Sequence, residues 1–147
     1  MDRLNINQLG TVGKAGEDAA ADYLMKQGFS VIGRNIKYGK LETDIICTDP
    51  DGRHIVFVEV KSRTVPASPG RGRFGSPSAA VDRSKKQHLV EAARDWIKEN
   101  RPSGLFPRMD VIEVYLRSSD GTDGNAGNKK FEVEKLNHFK NAFGVNF

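Results

Sequence analysis

An apolar segment at residues 55–63 constrains the fold of this chain more than any other stretch. Its sequence, IVFVEVKSR, is dominated by β-branched and aromatic residues, which favour a β-strand. Alternate residues of a strand share a face, so Phe57, Glu59 and Lys61 lie on one face and the intervening valines on the other. A strand that is apolar on both faces is typical of the centre of a sheet covered on both sides. A carboxylate and an ammonium at the end of such a strand therefore indicate a functional site.

Length and composition indicate one globular domain. A chain of 147 residues can bury a substantial core, and 37% hydrophobic with 29% charged residues excludes a disordered chain. No apolar run approaches the ~20 residues that a bilayer requires, and no secretory signal is recognisable. We therefore expect a cytoplasmic protein with no membrane contact. It should consist of an N-terminal arm at residues 1–12 and one domain at 13–147, with a mobile loop at 117–130.

The single cysteine and the mild net charge exclude little else. Cys47 has no partner for an internal disulfide or a multi-cysteine metal site, and its apolar neighbours indicate a buried thiol. The net charge of +4 favours a polyanionic partner only slightly. The arrangement of the charges is more informative than their sum.

Hydrophobic periodicity predicts an α/β fold. Helical patterns occupy residues 13–27 and 78–100, and the Pro-, Gly- and Ser-rich residues 64–77 predict a long basic loop. Strand patterns occupy residues 29–35, 42–48, 55–63, 107–116 and 131–136, the last as an edge strand. The resulting order, αββ(β)αββ, predicts a mixed β-sheet flanked by helices.

A turn signal before the central strand predicts where its charged side chains meet others. Residues 49–52, with the sequence DPDG, form a strong turn because proline presets φ and glycine accepts the left-handed conformation. The flanking strands should then form an antiparallel hairpin. This pairing would bring Asp44 beside Glu59 and Lys61 at one end of the sheet.

The first predicted helix carries a carboxylate on its apolar side. Glu17 precedes Ala20, Ala21 and Leu24 by three, four and seven positions, so it shares their stripe. A first-turn glutamate favoured by the helix dipole would explain this placement without any function. A functional carboxylate that faces the sheet explains it equally well.

The charged residues together match the requirements of metal-assisted phosphodiester hydrolysis. Carboxylates such as Glu17, Asp44 and Glu59 are natural ligands of Mg²⁺ or Mn²⁺, which polarise a phosphodiester and activate water. A lysine on the same strand face, Lys61, could orient the water or stabilise developing negative charge.

These residues resemble a known nuclease signature. Asp44, followed by Glu59 and Lys61 at the end of an apolar strand, resembles the PD-(D/E)XK pattern. A wider set falls in the order seen in the YraN-like family, small bacterial proteins related to archaeal Holliday-junction resolvases. The set comprises Gly13, Gly16, Glu17, Asp18, Ala20, Ala21, Leu24, Gly28, Phe29, Arg34, Asn35, Glu42, Asp44, residues 56–61, Arg63, Phe74, Gly75, Pro77, Lys85, Leu89, Arg108, Asp110 and Val111.

The resemblance implies a restriction-endonuclease-like fold and a role for each matching residue. Asp44 and Glu59 would be the metal-binding acidic pair, Lys61 the catalytic lysine, and Glu17 a further metal ligand from the first helix. The chain departs from the family at Leu41-Glu42-Thr43-Asp44, where Gly-Glu-Ile-Asp is common. The acids are retained, although the local turn can differ.

Several further residues are weaker candidates. Glu42 shares a strand face with Asp44 and either orients the metal-binding carboxylates or is simply solvated. Phosphates could be gripped by basic residues that surround the site, each equally explained as ordinary surface charge: Arg63, Arg71, Arg73, Lys85 and Lys86. Other polar or aromatic residues favour structural roles: an Arg108–Asp110 ion pair, Trp96 in the core, and three histidines without metal-ligand spacing.

Three functions remain open from the sequence. The first is a Mg²⁺- or Mn²⁺-dependent endonuclease acting on branched or structured DNA. The second is a nucleic-acid-binding module that retains the nuclease fold without turnover. The third is a buried structural ion-pair network. Resolvase relatives act as two-fold dimers, so a homodimer is one assembly open to this chain.

Overall fold

The computed structural model describes residues 12–65, 82–119 and 130–144. Within these ranges lie two helices and five strands: α1 (Val12–Lys26), β1 (Ser30–Tyr38), β2 (Leu41–Thr48), β3 (His54–Thr64), α2 (Arg83–Asn100), β4 (Phe106–Ser119) and β5 (Lys130–Phe143). The class is α/β with one mixed sheet, and it is consistent with the restriction-endonuclease-like fold that was expected. The predicted order of elements is confirmed.

The five strands form one sheet in chain order, β1-β2-β3-β4-β5. Neighbouring strands run antiparallel except β3 and β4, which are parallel. A parallel pair requires a crossover connection, and the segment containing α2 provides it. The predicted central strand, β3, therefore lies in the middle of the sheet, and the edges are β1 and β5.

The two faces of β3 are covered by different helices, as its apolar pattern predicts. Val56 and Val58 pack with the buried residues of α1, whereas Ile55 and Phe57 pack with those of α2. Trp96 of α2 meets the Phe57 ring edge-on at 5.8 Å between centroids, which confirms its predicted core position.

The turn between β2 and β3 is secured by Asp49. Its Oδ1 accepts hydrogen bonds from the backbone N–H groups of Arg53 and His54, at 2.9 and 3.0 Å. Burial acts to raise the pKa of Asp49, but the hydrogen bonds from His54 and Arg53 outweigh it and hold the pKa at about 2. A tightly bonded turn fixes the register of the hairpin that carries the candidate site.

The predicted ion pair between Arg108 and Asp110 is confirmed, and it belongs to a larger buried network. Both guanidinium–carboxylate hydrogen bonds measure 2.9 Å, and Asp110 is fully buried. His138 of β5 contacts Asp110 at 2.7 Å and the Tyr23 hydroxyl at 3.1 Å. The backbone N–H of Asn141 also donates to Asp110, at 3.0 Å. This network ties α1 and β5 to β4.

The predicted loop at 117–130 is wrong at both of its ends. Residues 117–119 continue β4, and Lys130 already begins β5. The last strand also extends to Phe143, where 131–136 was predicted, because it pairs with β4 along most of its length through two irregularities of register. Strand patterning is obscured where a β-bulge changes the face of later residues.

The remaining boundaries differ by a few residues or lie outside the described ranges. Helix α1 begins at Val12, within the predicted arm, and residues 1–11 are not described. Helix α2 begins at Arg83, after Asp82, whose carboxylate caps the helix by accepting from the N–H of Lys85. The predicted helix start at 78 and most of the predicted basic loop fall within residues 66–81, outside the described ranges.

The close approach of α1 to β3 predicts that Gly16→Ala destabilises the fold. An added Cβ would lie 1.7 Å from Oγ of Ser62, which leaves no space for it. Alanine is favoured over glycine in a helix by about 1 kcal/mol. We expect the clash with Ser62 to outweigh this gain and to lower the unfolding free energy by about 1–3 kcal/mol. Urea unfolding measures the difference.

Gly144→Ala is the matched control, because nothing lies within 4 Å of its added Cβ. The double variant Gly16→Ala/Ser62→Gly removes the obstructing side chain and should recover part of the loss. Unchanged stability of Gly16→Ala would contradict the close packing of α1 on β3.

Candidate active site

The β2–β3 hairpin brings two carboxylates together on the sheet face covered by α2. Ile45 pairs with Val58 in the antiparallel ladder, and the next position along each strand is Asp44 and Glu59. The two carboxyl groups are close enough for the charge of Glu59 to act on Asp44. Glu59 is buried, with 5% of its surface exposed. The predicted meeting of these two acids is therefore confirmed.

The backbone of β3 also holds Asp44. The N–H of Val60 donates to Asp44 Oδ2 at 2.8 Å, so the carboxylate is anchored to the strand that carries its partner. An ordered side chain pays less entropy when it binds a ligand, because its conformation is already restricted. The Val60 N–H therefore holds Asp44 beside Glu59.

Two ammonium groups approach the same oxygen of Glu59. The Nζ atoms of Lys61 and Lys85 each lie 3.6 Å from Glu59 Oε1. Lys61 belongs to the same strand face, as predicted. Lys85 comes from the first turn of α2, where the Asp82 cap holds its backbone at 2.7 Å. Two carboxylates and two lysines therefore lie close together, with Glu59 buried and the Lys61 and Lys85 side chains 27% and 44% exposed.

Burial and the nearby charge of Glu59 raise the pKa of Asp44 to about 7, although the Val60 N–H and Lys85 oppose the shift. With a pKa of about 7, the Asp44 carboxyl is protonated in mildly acidic solution. Once that proton leaves, the half-buried Asp44 carboxylate lies beside buried Glu59. A divalent cation fits such a pair, because it supplies the missing positive charge to hard oxygen ligands.

Glu17 lies near the pair, but other residues engage its carboxylate. Oε1 of Glu17 accepts from Arg34 Nε at 3.2 Å and from Asn35 Nδ2 at 2.8 Å, and Arg34 also pairs with Asp18. Burial raises the pKa of Glu17 and the Asp44 charge adds to this, while Arg34 opposes it. Within the described ranges, no three His, Cys, Asp or Glu side chains are grouped closely enough to hold a metal ion. Glu17 therefore does not complete a three-carboxylate set in this conformation.

The other predicted residues are dispersed. Glu42 is exposed and pairs with Lys37 in the β1–β2 ladder. Lys86 places Nζ 5.8 Å from the ring centroid of Phe143, at β5. Arg63 is on the candidate face of β3, where its Nε lies 3.6 Å from Glu113 Oε2. Arg71 and Arg73 lie outside the described ranges.

Sequence reasoning missed two groups that border the site. One is the pair Arg34 and Asn35, which the resemblance included without assigning a role. The other is Glu113, which is 1% exposed and pairs with Lys61 in the parallel β3–β4 ladder. The available signal was a glutamate between valine-rich neighbours on a predicted strand, the same feature that singled out Glu59.

The fold and the site define an α/β protein whose mixed sheet carries a paired aspartate and buried glutamate beside two lysines. The chain belongs to the Uncharacterised protein family UPF0102, whose family model matches residues 16–114. This confirms the resemblance to the YraN-like family that the motifs indicated.

Relatives match most of their own length. A UPF0102 protein of Caldanaerobacter subterraneus is 40% identical over 133 residues, covering 90% of this chain and 94% of the relative. A UPF0102 protein of Trichlorobacter lovleyi is 37% identical over 134 residues, covering 91% of each chain. The family assignment therefore extends over nearly the whole chain.

One solved structure shows a weak similarity. The structure of Pyrococcus furiosus SfsA in complex with Ca²⁺ is 16% identical, with a TM-score of 0.35. The match covers 92% of this chain and 64% of SfsA. A TM-score this low supports no functional conclusion.

Neither described helix is long and apolar enough to span a membrane.

Because the pKa of Asp44 is raised in the folded protein, we expect the unfolding free energy to fall as pH rises. The folded-state pKa of about 7 lies above the value of about 3.9 expected in the unfolded chain. The stabilising contribution is complete below that lower value and is lost as pH rises through the folded-state pKa. With divalent cations chelated, we expect a loss on the order of 2–3 kcal/mol in unfolding free energy between about pH 5 and pH 8.

Asp44→Asn cannot ionise and should flatten this pH dependence, as measured by urea unfolding at several pH values. The control is Asp22→Asn, which makes the same chemical change at an exposed i,i+4 pair with Lys26. It should keep the wild-type dependence. A wild-type slope in Asp44→Asn would show that another group titrates.

Proposed function

We propose that this protein is a divalent-metal-dependent nuclease that hydrolyses phosphodiester bonds in DNA. The observation that carries the proposal is the pairing of half-buried Asp44 with buried Glu59, with Lys61 on the same strand face. Buried like charges are costly, and they are retained mainly where a ligand or a reaction uses them. A polyanionic substrate suits the basic residues around the pair.

In this proposal Asp44 and Glu59 hold Mg²⁺ or Mn²⁺. The cation supplies Lewis-acid polarisation of the phosphodiester and lowers the pKa of water. Their neighbouring positions on β2 and β3 bring the two carboxylates together, and the Val60 N–H anchors Asp44 there.

Lys61 is the proposed catalytic lysine. It is partly exposed, with 27% of its side chain accessible, so its ammonium can leave Glu59 and face a substrate phosphate. There it would orient the attacking water and stabilise the negative charge that develops on the phosphoryl oxygens. Lys85 is placed to bind the same phosphate group from the α2 side.

Glu17 has a conditional part in the proposal. Its carboxylate is held by Arg34 and Asn35, and Arg34 is itself one-third exposed. A substrate phosphate that attracts Arg34 would release Glu17 toward the acidic pair. The family's relation to junction resolvases makes branched DNA the first substrate to test, and a two-fold homodimer would suit a symmetric junction.

The test of the proposal is a cleavage panel of labelled linear, flap and four-way DNA with Mg²⁺ or Mn²⁺. We expect metal-dependent cleavage by the wild type. Rates should fall about 10²- to 10⁴-fold in Asp44→Asn, Glu59→Gln and Lys61→Met, because each removes a group that acts on the reacting phosphate.

Asp22→Asn serves as the control here too and should cleave at the wild-type rate. Chelation of the cation should abolish cleavage in every variant. Equal cleavage by wild type, Glu59→Gln and Lys61→Met would place the activity elsewhere or in a contaminant, and the proposal would fall.

A nucleic-acid-binding module without turnover is the second candidate. It is favoured by one observation: within the described ranges only two carboxylates converge, while Glu17 is engaged by Arg34. DNA binding that persists in Glu59→Gln, with no cleavage under either cation, would establish it. A purely structural network would instead show a large loss of stability in Glu59→Ala and no stabilisation by Mg²⁺.

We expect Lys85 to compete with the metal ion for Glu59. Its ammonium lies 3.6 Å from Glu59 Oε1, so a cation at the pair must share or displace it. Wild-type protein should gain stability with Mn²⁺, about 2.7 kcal/mol at a hundredfold excess over the Kd. Lys85→Met should bind the metal more tightly and show a larger rise in Tm at the same concentration.

Lys98→Met, in the last turn of the same helix, controls for loss of a surface charge. Its metal response should match the wild type. A wild-type Tm that does not respond to Mg²⁺ or Mn²⁺ at any pH between about 6 and 9 would exclude the metal site.

A further inference from the structure

Glu113 is a buried carboxylate beside the candidate site that the acidic pair does not include. It is 1% exposed and lies next to Lys61 on the neighbouring parallel strand. A carboxylate at this depth is costly unless other groups satisfy it. Its partners therefore reveal what the residue is for.

Two side chains contact the same carboxylate oxygen of Glu113. The hydroxyl of Tyr115, which is 2% exposed, donates to Glu113 Oε2 at 2.8 Å. Nε of Arg63 lies 3.6 Å from the same oxygen. Arg63 pairs with Tyr115 in the β3–β4 ladder, so the three residues form a compact group. The inner partner is neutral and buried, and the outer partner is charged.

Arg63 is the accessible member of this group. Its side chain is 43% exposed, whereas that of Glu113 is 2% exposed. A guanidinium that faces a carboxylate through Nε keeps its two terminal amino groups as donors. Those groups form the planar fork that binds phosphate oxygens in pairs. An anchored arginine of this kind loses less entropy on binding than a free one.

We propose that Glu113 and Tyr115 hold Arg63 as a phosphate-binding arm for the nucleic-acid backbone. The substrate class rests on the proposed function, while the arm itself requires no turnover. Arg63 lies four residues beyond Glu59 on β3, about 13 Å at strand spacing. At this separation the arm contacts a phosphate that flanks the cleaved one.

Glu113 and Tyr115 are positioning residues, because in this proposal they act on the nucleic-acid backbone only through Arg63. Changes at Arg63 and Tyr115 should therefore not be additive. Arg63 also needs its particular geometry. A lysine at this position keeps the charge but has no planar fork and no Nε to meet Glu113.

The experiment measures equilibrium binding of labelled duplex DNA by full-length protein in Ca²⁺, over a range of KCl concentrations. Arg63→Gln should weaken binding about tenfold and reduce the salt slope by about 0.9, as expected for the loss of one phosphate contact. Tyr115→Phe should weaken binding about threefold with an unchanged slope, and should have no further effect in the Arg63→Gln background.

Arg63→Lys keeps the protein charge and changes only an exposed side chain. It should retain the wild-type salt slope while losing most of the affinity that Arg63→Gln loses. Arg53→Gln, an exposed arginine at the opposite end of β3, is the matched control and should stay within about twofold of the wild type.

Any one of three results would overturn the proposed arm. The first is wild-type affinity for DNA in Arg63→Lys or Arg63→Gln, and the second is a Tyr115→Phe effect that persists in the Arg63→Gln background. The third is no DNA binding by the wild type. The nuclease proposal is decided separately by the cleavage panel. Intact, non-additive binding without cleavage would leave the arm standing and refute hydrolysis.

Discussion

The antiparallel pairing of β2 with β3 is the interaction on which the candidate site depends. It places Asp44 against buried Glu59 on the sheet face that α2 covers, where two carboxylates are stable together only with a proton, nearby lysines or a cation. The Asp49 turn fixes the register at the other end of the hairpin. A shift of one residue would turn Asp44 toward α1 and dissolve the pair.

The sheet also carries the fully buried Asp110, and its comparison with half-buried Asp44 separates two uses of a carboxylate. Asp110 lies on the sheet face covered by α1. It accepts hydrogen bonds from Arg108 and from the Asn141 backbone, and it contacts Nε2 of His138. Burial acts to raise its pKa, yet these partners prevail and lower it. The pKa of Asp44 is raised instead, because burial and Glu59 prevail over its partners. Asp110 therefore stabilises the fold, whereas the negative charge of ionised Asp44 is not fully compensated by its partners.

Membership in family UPF0102 establishes the lineage of the chain, and the geometry supports the proposed chemistry. The carboxylate pair with Lys61 favours a nuclease, while the engagement of Glu17 by Arg34 favours a module without turnover. The two candidates share the same sheet face and the same basic surroundings. They differ in whether a cation and a phosphate together rearrange the side chains around the pair.

The sequence by itself determined the central strand, the hairpin and the meeting of Asp44 with Glu59, because strand alternation and a strong turn are local properties. It also determined the Arg108–Asp110 pair, since residues two apart on a strand share a face. Only the tertiary structure decided the contacts made across separate elements, which depend on register and helix placement: Lys85 with Glu59, Glu17 with Arg34 and Asn35, His138 with Asp110, and Arg63 with Glu113. The parallel β3–β4 register and the bulged β4–β5 register are set by packing of the whole sheet, which no local pattern encodes.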